Sequence, residues 1–182
     1  MTLLFIGLIL WTGAHLFKRI APQKRAAMGD KGKGLVAVGI LAGLVLMVIG
    51  YRGAEVIDIW YPPIWTVHLN NLLMLIAVFI FGMSATTGRL RGRMRHPQLT
   101  AVRIWAGAHL LVNGDLASII LFGGLLIWAL LEVVLINRSE PWDRPAPGHA
   151  KKDPVLIAIT LVMFGIMTAI HAWLGVWPFP GY

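Results

Sequence analysis

The sequence predicts an all-α fold: a polytopic transmembrane bundle of six helices, with both termini on the outer (periplasmic) side. Three observations carry that reading. Of 182 residues, 58% are hydrophobic and only 13% charged, where a soluble domain is about a quarter charged. Apolar stretches long enough to cross roughly 30 Å of hydrocarbon recur along the whole length. They are continuous runs and not alternating strands, which excludes a closed barrel. The basic residues, finally, gather in every second connection. One integral membrane domain over 1–182 is the expected organisation. The chain has no cysteine, which excludes disulfides, thiolate metal sites and Cys nucleophiles. The N-terminus is not expected to be a cleavable signal, because it lacks a leading positive charge and a small-residue cleavage site.

The elements follow in order. The first span is Thr2–Phe17, closed by Lys18 and Arg19, and the second is Gly34–Tyr51. The third is Ile64–Ala85. The fourth, Gln98–Val112, is short and carries Arg103. The fifth is Leu116–Ile136 and the sixth Val155–Val176. Spans two, three, five and six approach or exceed the roughly 20 residues a crossing helix needs, while one and four are shorter.

Orientation comes from Lys and Arg. Lys18, Arg19, Lys24, Arg25, Lys31 and Lys33 lie between spans one and two. Arg89, Arg91, Arg93 and Arg95 lie between three and four, and Arg138, Arg144, Lys151 and Lys152 between five and six. These connections are therefore expected in the cytoplasm. Trp60, Trp65, Trp173 and Trp177 then fall at the outer interface, as an aromatic belt should. The net charge of +8 is accounted for by topology, with some attraction to anionic membrane lipid, and no nucleic-acid partner is expected. The longest connection, Arg138–Pro154, is Pro-rich and expected to be irregular. His149 lies in it and is expected to be solvated.

The two short spans share a phrase: WTGAHL at Trp11–Leu16 and WAGAHL at Trp105–Leu110. His15 and His109 each follow a Trp by four residues, so ring and imidazole share one helix face. Thr12 and Ala106, three before each histidine, are small and would leave room for something flat and broad. Gly13 and Gly107 fall on the opposite side, where small residues let a neighbouring helix approach. Chemistry that needs two such histidines is axial ligation of a haem iron by neutral imidazoles. Trp11 and Trp105 would line that site, and Lys18, Arg19 and Arg103, on the cytoplasmic side of the histidines, would receive the propionates. A bare metal ion fits less well, since no carboxylate or thiol shares the depth. The same letters also describe two buried histidines bonded to neighbours.

The other polar residues have blander readings. His68, Asn70 and Asn71 form a patch at the outer end of span three, with Asn113, Asp115 and His171 at a similar level, where headgroups and water wet them. His96 and Pro97 are expected to open span four, with Pro in the first turn. Glu132, deep in span five, is expected to pair with Arg103 or a basic loop residue, because a lone buried carboxylate would protonate.

The stretch RHPQLTAVRIWAGAHLLVNGD, Arg95–Asp115, resembles the NnrU family of bacterial membrane proteins, which are related to the 15-cis-zeta-carotene isomerase of plants and cyanobacteria. The likeness rests on Arg95-His96-Pro97, Trp105, His109 and the Asn-Gly that follows, with His15 and the six-span layout extending it over most of the chain. It implies a b-type haem, a bacterial inner (cytoplasmic) membrane location, and iron ligands at His15 and His109, the pair the repeated phrase selects. The isomerase pattern has a cysteine three residues before the second histidine, where this chain has Ala106. The NnrU branch is associated with bacterial nitrite and nitric oxide respiration (denitrification).

Competing functions follow. A haem protein of nitrogen-oxide metabolism would carry an electron or bind nitric oxide. A haem-dependent cis-trans isomerase would take a lipid-soluble polyene, in a cleft that Gly123 and Gly124 could line. A membrane methyltransferase would use the Arg95-His96-Pro97 region. A structural partner with inert histidines is the fourth reading.

Overall fold

The computed structural model describes residues 1–180. Helix makes up 71% of it, and no strand occurs among the described residues. Seven α-helices run in chain order: α1 (Thr2–Ile20), α2 (Pro22–Ala27), α3 (Gly29–Arg52), α4 (Thr66–Gly82), α5 (Pro97–Leu110), α6 (Leu116–Ser139) and α7 (Asp153–Trp173). A single 3-10 turn, Ala150–Lys152, precedes α7.

Four segments are long and apolar enough to cross a membrane: Thr2–Ile20, Gly29–Arg52, Leu116–Ser139 and Ala150–Trp173. Their outward residues are those of a lipid-facing surface: Ile9, Val38, Leu41 and Val162 are each at least 60% exposed, which water would not tolerate over so many contiguous turns. The chain is an integral membrane protein. The other two expected spans are shorter. α4 has 17 residues and α5 has 14, or about 26 and 21 Å of helix.

The helix boundaries have local causes. Pro22 ends α1, because the residue before a proline is driven out of helical backbone, and Ala21 sits at φ −131°. It also opens α2 from the first turn, where a missing N–H costs nothing. His96 caps α5 with Pro97 directly behind it, as the sequence leads one to expect. Asp115 caps α6: its Oδ1 accepts from Ser118 N at 2.9 Å and its Oδ2 from the Ser118 hydroxyl at 2.6 Å.

The chain divides into two compact units, Met1–Tyr61 with Gly114–Glu140, and Pro62–Asn113 with Pro141–Tyr182. In the first, α1 and α3 form a hairpin through α2, and α6 packs on α1. The hairpin closes through glycines. A Cβ on Gly43 would stand 2.8 Å from Trp11 N, and one on Gly7 would stand 2.6 Å from Met47 N. A Cβ on Gly50 would run into the backbone of Leu3 and Leu4, and Leu4 is wholly buried. Gly124 of α6 is equally tight against Leu8. Tyr51 closes the same unit, its hydroxyl 2.9 Å from Ser118 Oγ.

One packing expectation is overturned. Gly13 and Gly107 have open space where a Cβ would stand. Close approach comes instead from Gly7, Gly43 and Gly50, which the repeated phrase does not include. Gly124, offered as lining for a cleft, is also a packing residue; Gly123 has open space beside it.

In the second unit, α4 packs against both α5 and α7. Ala101, Ala106 and Ala108 are the buried residues of α5, small enough for α4 to lie close. The Pro-rich connection lacks regular structure from Glu140 to His149 but is tied down. Gly148 N donates to Gly88 O and His149 N to Thr87 O, both at 3.1 Å, and Arg144 Nε donates to Gly92 O at 3.0 Å. Gly148 has no room for a side chain, its Cβ position lying against the Thr87 carbonyl. Gly92 has φ +74°, backbone that glycine adopts without strain.

Candidate functional site

The repeated phrase becomes the same local structure twice. His15 Nδ1 donates to the Trp11 carbonyl at 2.9 Å, and His109 Nδ1 donates to the Trp105 carbonyl at 2.9 Å. A carbonyl only accepts, so each neutral imidazole carries its proton on Nδ1, and the lone pair lies on Nε2. A backbone carbonyl holding one ring nitrogen is also how a protein sets the tautomer of a metal-ligating histidine. The preceding tryptophan also touches the ring, with centroids 4.4 Å apart for Trp11 and His15 and 5.3 Å for Trp105 and His109. His171 makes the same backbone bond to Met167, at 2.7 Å. The tether alone therefore does not distinguish the pair; the tryptophan does.

Around His15 the first unit adds a residue the sequence reading left out. Trp128 of α6 lies edge-on to His15 at 4.7 Å and to Trp11 at 5.4 Å, so the imidazole and the two indoles form one mutually touching cluster. A signal existed. Tryptophan normally marks the membrane interface, and a Trp in the middle of a long apolar span is out of place there. The indole N–H groups of both Trp11 and Trp128 are buried without a hydrogen-bond partner. Buried donors are rarely left so in folded proteins.

The proposed propionate cations are placed unequally. Arg19 is ion-paired with Glu140, and Lys18 lies 3.8 Å from the same carboxylate. Both already have a counter-charge. Arg103 differs: one Nη donates to Thr100 Oγ1 at 2.7 Å, while its Nε is buried and unpartnered. Glu132 is buried but forms no ion pair among the described residues. Of the expected loop cations, Arg19 is the one whose charge reaches Glu132, and its ion pair is with Glu140.

The amides of Asn70, Asn71 and Asn113 are hydrogen-bonded within their unit, although Asn70 Oδ1 is buried without a partner. Asn71 Nδ2 donates to Pro178 O at 2.8 Å, Asn70 Nδ2 to Asn71 Oδ1 at 3.1 Å, and Asn113 Nδ2 to His109 O at 2.8 Å. His149 is exposed. No group of three or more His, Asp and Glu residues suited to a metal ion occurs among the described residues.

The fold and these side chains define a class: an all-helical integral membrane protein in which each unit carries one Trp-tethered histidine. Residues 3–178 match the family described as NnrU protein, and the chain belongs to that family. No curated protein and no solved structure matches it.

Proposed function

We propose that the protein is a b-type haem protein of the bacterial inner membrane, serving nitrite and nitric oxide respiration, with His15 and His109 as the iron ligands. The observation that carries the reading is the identical preparation of the two imidazoles: Nδ1 tied to a Trp carbonyl at 2.9 Å in both, which leaves Nε2 as the basic nitrogen. The donor set fits the group. Neutral imidazoles are the usual haem ligands, the orphaned indole N–H groups of Trp11 and Trp128 adjoin His15, and the orphaned Nε of Arg103 is a donor suited to a carboxylate.

When bound, haem b supplies a one-electron couple and, with a coordination position open, a place for nitric oxide. The chain's residues do the rest. Trp11 and Trp105 fix the tautomer through their carbonyls and hold the ring planes by contact. Trp128 excludes water from His15. Polyene isomerisation ranks behind this reading, because the isomerase pattern's cysteine is replaced by Ala106, which is fully buried.

Six spans with both termini outside complete the proposal. The Lys and Arg residues of the three connections named above favour it, and a bilayer thins locally around helices as short as α4 and α5.

The test is the reduced-minus-oxidised visible spectrum of the detergent-purified protein, beside His15→Ala and His109→Ala. A b-type spectrum lost in both variants is expected. A colourless wild-type protein after expression with ample haem would refute the assignment.

A further inference from the structure

The second unit holds a feature that ligand histidines do not use. A crevice of about 250 Å³ opens between the end of α4 and the start of α7, bordered by Gly82, Thr86, Thr87, Lys152 and Val155. A second hollow, of about 430 Å³, is bordered by Val78, Ala101, Trp105, Met163 and Met167. Gly82 and Ile159 border both, so the two hollows adjoin and together form a groove. From Lys152 to Met167 it follows roughly 22 Å of helix, more than the roughly 15 Å that one leaflet contributes to the hydrocarbon core.

The two ends differ in chemistry. Along the groove the wall is apolar, and the Thr160 hydroxyl is spent on the Leu156 carbonyl at 2.8 Å. At the mouth stands Lys152, exposed and without an ion pair among the described residues. Arg91, Arg93 and Lys151 are likewise exposed and without an ion pair among the described residues. The nearest carboxylate, Asp153, is neutralised by Arg89 at 2.7 Å. This end is also built in advance, since the backbone bonds from Gly148 and His149 and the Arg144 bond to Gly92 hold the two connections together. Binding there orders little that is not already ordered.

We propose that this groove binds a membrane phospholipid with an anionic head group, its phosphate at Lys152 and one acyl chain along α4 and α7 as far as Trp105. Charge complementarity selects the occupant. A zwitterionic lipid brings the same phosphate with its own cation beside it and gains less from the cationic mouth, and a second protein helix would have to bring its own anion to that point. Each Lys or Arg near an anionic bilayer contributes a modest attraction, and a pocketed acyl chain adds specificity to it.

The experiment uses the full chain in phosphatidylcholine vesicles containing a trace of phosphatidylglycerol with a diazirine midway along one acyl chain. After irradiation, crosslinked peptides are mapped by mass spectrometry. Labels are expected to concentrate on Val78–Gly82 and Ile159–Met167, and to be competed by phosphatidylglycerol but not by phosphatidylcholine. Lys152→Glu removes an attraction and adds a repulsion, and should cut this labelling by about tenfold. Ile159→Trp fills the groove at an exposed-rim residue and should cut it while leaving lipid contacts elsewhere unchanged. Three results would overturn the proposal: label spread evenly over the apolar face of α3, equal competition by phosphatidylcholine, or labelling unchanged in Lys152→Glu.

Discussion

Replacing Gly43 by alanine tests how the first unit holds its histidine. The new Cβ would lie 2.8 Å from Trp11 N and 3.1 Å from Trp11 Cα, where ordinary contact needs nearly a full ångström more. Backbone atoms cannot swing aside, so α1 and α3 must separate, and overpacking of this kind costs about 1–3 kcal/mol. Alanine also regains about 0.5–1 kcal/mol over glycine inside a helix. Gly13→Ala carries that same gain, two residues before His15, with open space at its Cβ. The propensity terms cancel between the two variants, so their stabilities should differ by the overpacking term, about 1–3 kcal/mol. The assay is thermal unfolding in detergent, followed by far-ultraviolet circular dichroism. Gly43→Ala should melt below wild type and Gly13→Ala at or above it. Because Trp11 carries the carbonyl that tethers His15, Gly43→Ala should also disturb any spectrum His15 supports. A Gly43→Ala protein as stable as Gly13→Ala would refute the close packing of α1 on α3.

The remaining predictions rest on separate contacts. Gly148→Ala should break the backbone pairing with Thr87 and Gly88, and be read as faster limited tryptic cleavage after Lys151. Arg103→Gln removes the buried Nε donor, and if that donor meets a carboxylate, haem retention during dilution should fall about tenfold, as a charge-assisted bond of about 1.5–3 kcal/mol implies. The chain lacks cysteine, so Gln23→Cys and Tyr61→Cys can each be probed alone with a membrane-impermeant maleimide. Whole cells should label Tyr61→Cys only, and labelling of Gln23→Cys would reverse the orientation.

What the sequence conveyed depended on whether the signal was local. A helix start was legible where a proline writes it, as at Pro97, and the tethers of His15 and His109 lie within one turn of their own helix. Contacts at long range were not. Nothing near Gly13 says that α1 meets α3 through Gly7 and Gly43 instead, because helix-facing glycines are defined by the partner's backbone and not by their neighbours in sequence. Trp128 joins His15 from more than a hundred residues away, and Glu140, outside every expected span, takes Lys18 and Arg19, two of the three cations assigned to propionates. Charge counting could not name the partner of Arg19.

The division of labour among the basic residues follows from these placements. Arg19 and Arg89 are neutralised within their units, by Glu140 and Asp153. Pairs so exposed on one side add little stability, and what they do is position: Arg89 binds Asp153 through both its side chain and its backbone N–H, at 2.7 and 2.9 Å, fixing the start of α7 against the connection after α4. Arg103 is the contrasting case, a guanidinium inside α5 with a buried donor the chain does not satisfy. Burying such a donor without a partner costs more than an exposed ion pair gains. The same reasoning separates Lys152, a free cation at the mouth of an apolar groove, from the topogenic charges around it. Orientation requires only that the basic residues be on one side of the membrane. It does not require that one of them stand where a hydrocarbon groove begins.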